Sequence, residues 1–239
     1  MDILNPEFLR RRALTEYLCC DDEYIWEELR KEEEAKLREE EEANKPKVTV
    51  IQPKPSELAS RFNPFLLDTF QNSWGYTREQ LDLATQNLNL EMISPNNINW
   101  DQRRQDVDEN KSGQYTLNPE TQSLDFEKAR VFIPDPETLK QFEGKPLSKL
   151  GQYLVATYGT KYYIPGIEYW HYISNSPDKA PSSLKDATNY YFYFGSILRY
   201  LSGLWYVPHS SWGSLLFTRN ASWLGNDWPS YYRVVLLER

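Results

Sequence analysis

Histidine, cysteine and glycine are all scarce in this 239-residue chain, and each scarcity removes a class of chemistry. There are two histidines, His171 and His209. Glu168 and His171 have the Glu-x-x-His spacing of carboxylate-bridged di-metal bundles, but such sites need a second pair on another helix. The residue three before His209 is Tyr206, so the second pair is missing and no metal is expected. The two cysteines, Cys19 and Cys20, are neighbours and cannot close a stabilising loop. No disulfide framework exists, which favours a reducing compartment, and a cytoplasmic location is expected. Ten glycines are scattered without forming GxGxxG or a phosphate-binding loop, so no nucleotide cofactor is implied.

Other absences point the same way. Met1–Pro6 lacks the basic-then-apolar order of a secretory leader. Tyr190 to Val207 is the one run apolar enough to suggest a membrane span, but Arg199 stands in its middle and tyrosines fill it. Asp106-Val107-Asp108-Glu109-Asn110 begins like a calcium loop, yet Lys111 stands where Gly is needed and Leu117 where the bidentate Glu belongs. Ser210, Ser211, His209 and Asp227 could furnish a hydrolytic triad only by chance, because no Gly-x-Ser-x-Gly elbow frames them.

Aromatic residues and acidic charge are abundant. Aromatics make up 15% of the chain, with 17 Tyr and 8 Trp. Each Tyr or Trp buries a large apolar body and carries a polar tip that wants a partner. The net charge is −8, and residues 1–45 hold 15 acidic against 8 basic side chains, which leaves −1 for residues 46–239. No basic patch is present to neutralise a phosphate backbone, so nucleic acid is not an expected partner.

The acidic segment 1–45 reads as a helical arm. Leu14, Leu18, Ile25 and Leu29 form a narrow apolar stripe flanked by Tyr17 and Trp26. Beyond Leu29 the helix is charged all round, with Glu27–Lys31, Glu32–Lys36 and Glu34–Arg38 at favourable i,i+4 spacing. The first half should dock and the second should project in the manner of a coiled coil. Residues 46–60 read as a proline-containing linker, within which Val48–Ile51 could lie extended at a sheet edge. Residues 61–239 are expected to be the globular body.

Within the body, Asn63-Pro64 has the chemistry of a helix start, and Thr77–Gln80 fits a capping box. Residues 94–123 carry few apolar side chains and are expected to be a long polar loop. Val131 lies in a predicted strand over 129–133, and Asp135-Pro136 should open a short helix. Leu147, Leu150 and Leu154 mark a helix stopped by Gly159, and 161–165 reads as a strand. Residues 167–173 satisfy both periodicities. Strands over 214–218 and 231–237 should form a long hairpin.

The organising feature is a predicted helix over 183–205. Leu184, Ala187, Tyr191, Phe194, Leu198, Leu201 and Trp205 recur at helical spacing, with Tyr190, Tyr193, Ile197, Tyr200 and Leu204 beside them. Such a helix must be covered on most sides. The expected fold is therefore α+β and mainly helical. Its C-terminal aromatic-rich core would surround this buried helix and carry a small antiparallel sheet, and an N-terminal helix would project from it.

No catalytic constellation emerges, so the expected function is a non-enzymatic interaction or structural subunit of a larger intracellular assembly. Its contacts with a protein partner or with other copies would be made by Leu14, Leu18, Ile25, Trp26 and Leu29 of the arm. At the other end they would be made by Trp205, Trp212, Arg219, Trp223 and Trp228, since Tyr, Trp and Arg dominate interface hot spots. The alternative is a ligand-binding or hydrolytic domain, with an aromatic cleft for a sugar or nucleobase near Glu168, His171 and His209.

Overall fold

The computed structural model describes Lys31, Ala35, Lys36 and residues 52–213 and 217–239. The chain divides into two compact units, Met1–Thr49 and Val50–Arg239. Lys31, Ala35 and Lys36 are helical. The arm positions Leu14, Leu18, Ile25, Trp26 and Leu29 lie outside the described residues, as does Val48–Ile51.

The second unit is built on a mixed seven-stranded sheet, so the fold is not mainly helical. Its strands are β1 (Asn89–Met92), β2 (Gln114–Leu117), β5 (Tyr190–Phe192), β6 (Leu198–Arg199), β7 (Trp205–Trp212), β8 (Phe217–Trp223) and β9 (Tyr232–Val234). They run in the order β1-β2-β6-β7-β5-β9, with β8 on the other edge of β7. The pairs β1–β2 and β5–β9 are parallel and the rest antiparallel. A second, three-stranded antiparallel sheet joins β3 (Val131–Phe132), β10 (Leu236–Glu238) and β4 (Tyr162–Tyr163).

The helix expected over 183–205 does not exist. Ser182–Leu184 is a single 3-10 turn, and from Tyr190 the chain runs as β5 and β6 along one edge of β7. The physical reason lies in burial on both faces. Tyr191, Tyr193 and Leu198 enter one core, whereas Phe192, Phe194 and Ile197 enter the other. A strand covered on both sides is apolar at every position, as is a helix covered all round, so periodicity does not separate them.

Helices cover the sheet on both faces. One core takes Leu58, Phe62, Phe65 and Leu66 of α1 (Pro55–Asp68), together with Ile167, Tyr169, Trp170 and Ile173 of α6 (Ile167–Asn175). The other takes Trp100 of α3 (Trp100–Gln105), and Leu147, Leu150 and Leu154 of α5 (Leu147–Tyr158). The last turn of α1 widens into a π-helical turn over Thr69–Ser73.

Local signals are met where side chains reach back to the backbone. Thr77 caps α2 (Arg78–Asn87): Thr77 N–H donates to Gln80 Oε1 at 2.8 Å, and Gln80 N–H to Thr77 Oγ1 at 3.4 Å. Asp135 accepts from Glu137 N–H at 3.0 Å and opens α4 (Pro136–Leu139). Gly159 ends α5.

Other expectations are corrected. Asn63-Pro64 lies inside α1, whose start at Pro55 is fixed by Lys54 N–H donating to Glu57 Oε2. Asn63 Oδ1 instead accepts from Tyr115 O–H at 2.6 Å, a tertiary bond with no local signature. Segment 94–123 is not a long loop, because it carries α3 and β2. Its few apolar residues are placed to count, with Trp100, Tyr115 and Leu117 all buried. The C-terminal hairpin is formed by β7 and β8, while the last two strands join different sheets.

Pro208 occupies the middle of β7, where a missing N–H would break a ladder. The neighbouring strand is interrupted at that point. Tyr193 N–H donates to Pro208 O at 3.0 Å, the return bond cannot form, and the chain leaves the edge between β5 and β6. There Gly195 turns away to meet Pro165 and Gly166.

Candidate functional site

Glu168 is the buried acidic group in the first turn of α6, with 1% of its surface exposed. Thr121 Oγ1–H and Gly166 N–H each donate to Glu168 Oε1 at 2.6 Å. Oε2 has no hydrogen-bond partner among the described residues. Burial pushes the carboxyl above its ordinary range, against the opposing effect of the Thr121 and Gly166 donors.

The two histidines sit in apolar surroundings. His171 meets Phe65 edge-on at 4.8 Å and Phe62 at 5.5 Å, and its Nε2 lies 2.9 Å from Asn175 Nδ2. Burial, with the charges of Arg61 and Arg219, lowers its pKa to about 4. His209, on β7, stacks on Phe192 at 4.6 Å and meets Tyr190 at 5.4 Å. Burial lowers its pKa to about 3, so both rings are neutral in the physiological range. No hydrogen bond or ring contact joins Glu168, His171 and His209 to one another. Glu168 and His171 are a helical turn apart, and His209 belongs to a separate aromatic cluster.

The aromatic set divides by burial. Trp205 and Trp228 are core side chains, whereas Trp212 and Trp223 are half-buried. Trp212 packs on Phe217, with the Lys185 ammonium 5.4 Å from its ring. Arg219, on β8, donates to Asp68 Oδ2 at 2.7 Å and to Thr69 Oγ1 at 3.1 Å. It also lies 5.2 Å over Phe65, thereby tying β8 to the end of α1. Its own carbonyl accepts from Trp74 Nε1–H at 3.0 Å.

A charge cluster that sequence reasoning missed is centred on the buried guanidinium of Arg199. It pairs with Asp106 and donates to Gly203 O at 2.9 Å. Trp205 Nε1–H donates to the same carboxylate at 3.0 Å, and the Arg199 and Arg103 guanidinium groups lie 4.7 and 4.5 Å over its indole. Burial opposes ionisation of Asp106, but the Trp205 donor and the Arg199 charge hold its pKa below the ordinary value. Beside the cluster, Ile93, Asn97, Asn99, Gln102, Arg103 and Asp106 line an open groove of about 360 Å³. Asp106 and Arg199 are 93 positions apart, so no spacing rule could pair them.

Among the described residues no group of three or more His, Cys, Asp or Glu could hold a metal ion. None of the described helices is long and apolar enough to cross a membrane. No family model, curated protein or solved structure matches the chain.

Proposed function

We propose that the protein is a non-enzymatic structural subunit that assembles in the cytoplasm through its Met1–Thr49 segment, with Val50–Arg239 as the folded body. The observation that carries this reading is the closure of the body. Both faces of its main sheet are covered by its own helices, α1 and α6 on one side and α3 and α5 on the other. The two cores draw on side chains from Leu58 to Leu237. A stripe of Leu14, Leu18, Ile25 and Leu29 suits a partner helix of the same kind, because an apolar seam gains by being covered. Of the C-terminal aromatic set, the half-buried Trp212, Arg219 and Trp223 are the members available for a contact. The alternative, a cleft for a sugar or nucleobase near Glu168, His171 and His209, draws no support from a shared contact among those side chains.

The test uses the full chain with Leu18→Glu and Ile25→Glu together, and reads molar mass by light scattering. The wild type should run as more than one chain and the double variant as a single chain, with near-ultraviolet circular dichroism unchanged. Equal masses for the two proteins would overturn the proposal.

A further inference from the structure

Five of the six side chains that line the groove beside the Arg199 cluster are polar, and only Ile93 among them is apolar. Its volume of about 360 Å³ is that of a small ligand site. Such sites are ordinarily walled by apolar and aromatic side chains with a few polar groups among them. Here the proportion is reversed, so a molecule that fits the groove must be polar over most of its surface.

The two charged residues of the groove are already paired. Arg103 donates to Glu91 Oε2 at 2.6 Å and lies over the Trp205 indole. Asp106 accepts from Arg199 and from Trp205 Nε1–H, both through Oδ2. An anion in the groove would meet the Asp106 carboxylate, and a cation would meet the guanidinium groups of Arg103 and Arg199. The balance favours a neutral ligand.

Several hydrogen-bonding groups are open to one. Asp106 Oδ1 accepts no bond from the described residues, and 40% of that side chain is exposed. Asn99 Oδ1 accepts from Gln102 N–H at 3.1 Å, which leaves the Asn99 Nδ2–H₂ group free. The side-chain amides of Asn97 and Gln102 are exposed and make no hydrogen bond among the described residues. Arg199, only 2% exposed, and Trp205 hold the other oxygen of the Asp106 carboxylate from within the core. A group oriented in this way by buried donors gives up little freedom when it binds.

We propose that this groove binds a neutral saccharide. A hydroxyl both donates and accepts, so adjacent hydroxyls of a sugar can donate to Asp106 Oδ1 and accept from the Asn97, Asn99 and Gln102 amides. Ile93 covers an apolar C–H face of the ring. A nucleobase would need an aromatic side chain to stack on, and none lines the groove. A peptide would need an apolar pocket for an anchoring side chain, which Ile93 alone does not make. Glu168, His171 and His209 are not part of this groove, and the proposal does not depend on assembly through Met1–Thr49.

Amide NMR of the full isotope-labelled chain, titrated with maltose and with cellobiose, provides the test. Because the contacts are polar and open to water, a dissociation constant of about 1–10 mM is expected for at least one of the two sugars. The shifts should be confined to residues 93–106 and their neighbours in the Arg199 cluster. Asn97→Ala combined with Gln102→Ala should weaken binding by about tenfold or more and leave the rest of the spectrum in place. Absence of shifts at these residues with either sugar at about 50 mM, a level that would largely fill such a site, would overturn the proposal. Shifts that survive the double substitution unchanged would do the same. Glucuronate and glucosamine, titrated into the wild type, supply a measurement that needs no variant. Both should bind more weakly than the neutral sugars, and tighter binding of either would refute the assignment.

Discussion

Gly195 lies back to back with Gly166. Gly195 N–H donates to Pro165 O at 2.8 Å, and Ser196 Oγ accepts from Ile167 N–H at 3.0 Å. The contact sits where the strand leaves β5 before resuming as β6, and it delivers the first turn of α6 against the sheet. A Cβ on Gly195 would stand 2.2 Å from Ile164 O, and one on Gly166 would stand 2.6 Å from Ser196 N.

At Gly166 the nearest atom is Ser196 Oγ at 2.0 Å, but backbone atoms obstruct the added Cβ at both positions, so moving a side chain alone relieves neither site. Gly195→Ala and Gly166→Ala should each destabilise the body by about 1–3 kcal/mol or more, the range for overpacking a filled interior. Chemical denaturation of each variant checks this. A loss below about 0.5 kcal/mol, the scale of an ordinary surface substitution, would contradict the close approach.

Removing the carboxylate from the Arg199 cluster should cost stability through the charge left behind. Arg199 is buried, while the Asp106 side chain is 40% exposed, so solvent screens part of the effect. Asp106→Asn should destabilise by about 1–3 kcal/mol after that discount. The loss should be visible in thermal unfolding and in the fluorescence of Trp205, whose indole N–H loses its charged acceptor. An unchanged melting temperature would mean that the pair contributes nothing.

His209 predicts acid sensitivity. Its folded pKa of about 3 lies below the ordinary value of 6.5, so the unfolded chain takes up the proton first. The stability this neutral ring contributes is present above about pH 6.5 and is lost as pH falls towards 3, at roughly 1.4 kcal/mol per unit. His209→Phe preserves the stack on Phe192 and removes the titration. The variant should therefore gain on the wild type between about pH 6 and 4, and a parallel pH profile for the two proteins would count against the buried neutral ring.

β8 is held to α1 by Arg219, whose hydrogen bond to Asp68, with that of Asn72 and the guanidinium charge, lowers the pKa of that carboxyl. Arg219→Met would keep apolar contact with Phe65 and lose both polar bonds. A moderate loss of about 0.5–1.5 kcal/mol is expected, with faster amide exchange confined to the β8 backbone near Trp74. Exchange unchanged along β8 would show that the strand is secured by its pairing with β7 alone.

Local chemistry in the sequence by itself determined several elements. The Thr77 box, the Asp135 cap and the Leu147–Leu150–Leu154 stripe ended by Gly159 need only neighbours within four residues, and all three stand in the structure. Glu168 and His171 were also legible as residues of interest. Their environments were not, since Thr121, Gln122, Phe62 and Phe65 come from distant parts of the chain. The largest decision belonged to tertiary structure alone. The run from Tyr190 to Leu204 is apolar enough for a buried helix or for a strand covered on both faces. What settles it is pairing with Trp205–Trp212 and the cover of α1 and α6 on one side and α5 on the other. Those long-range contacts leave no mark in local periodicity, because every position from Tyr191 to Arg199 is buried.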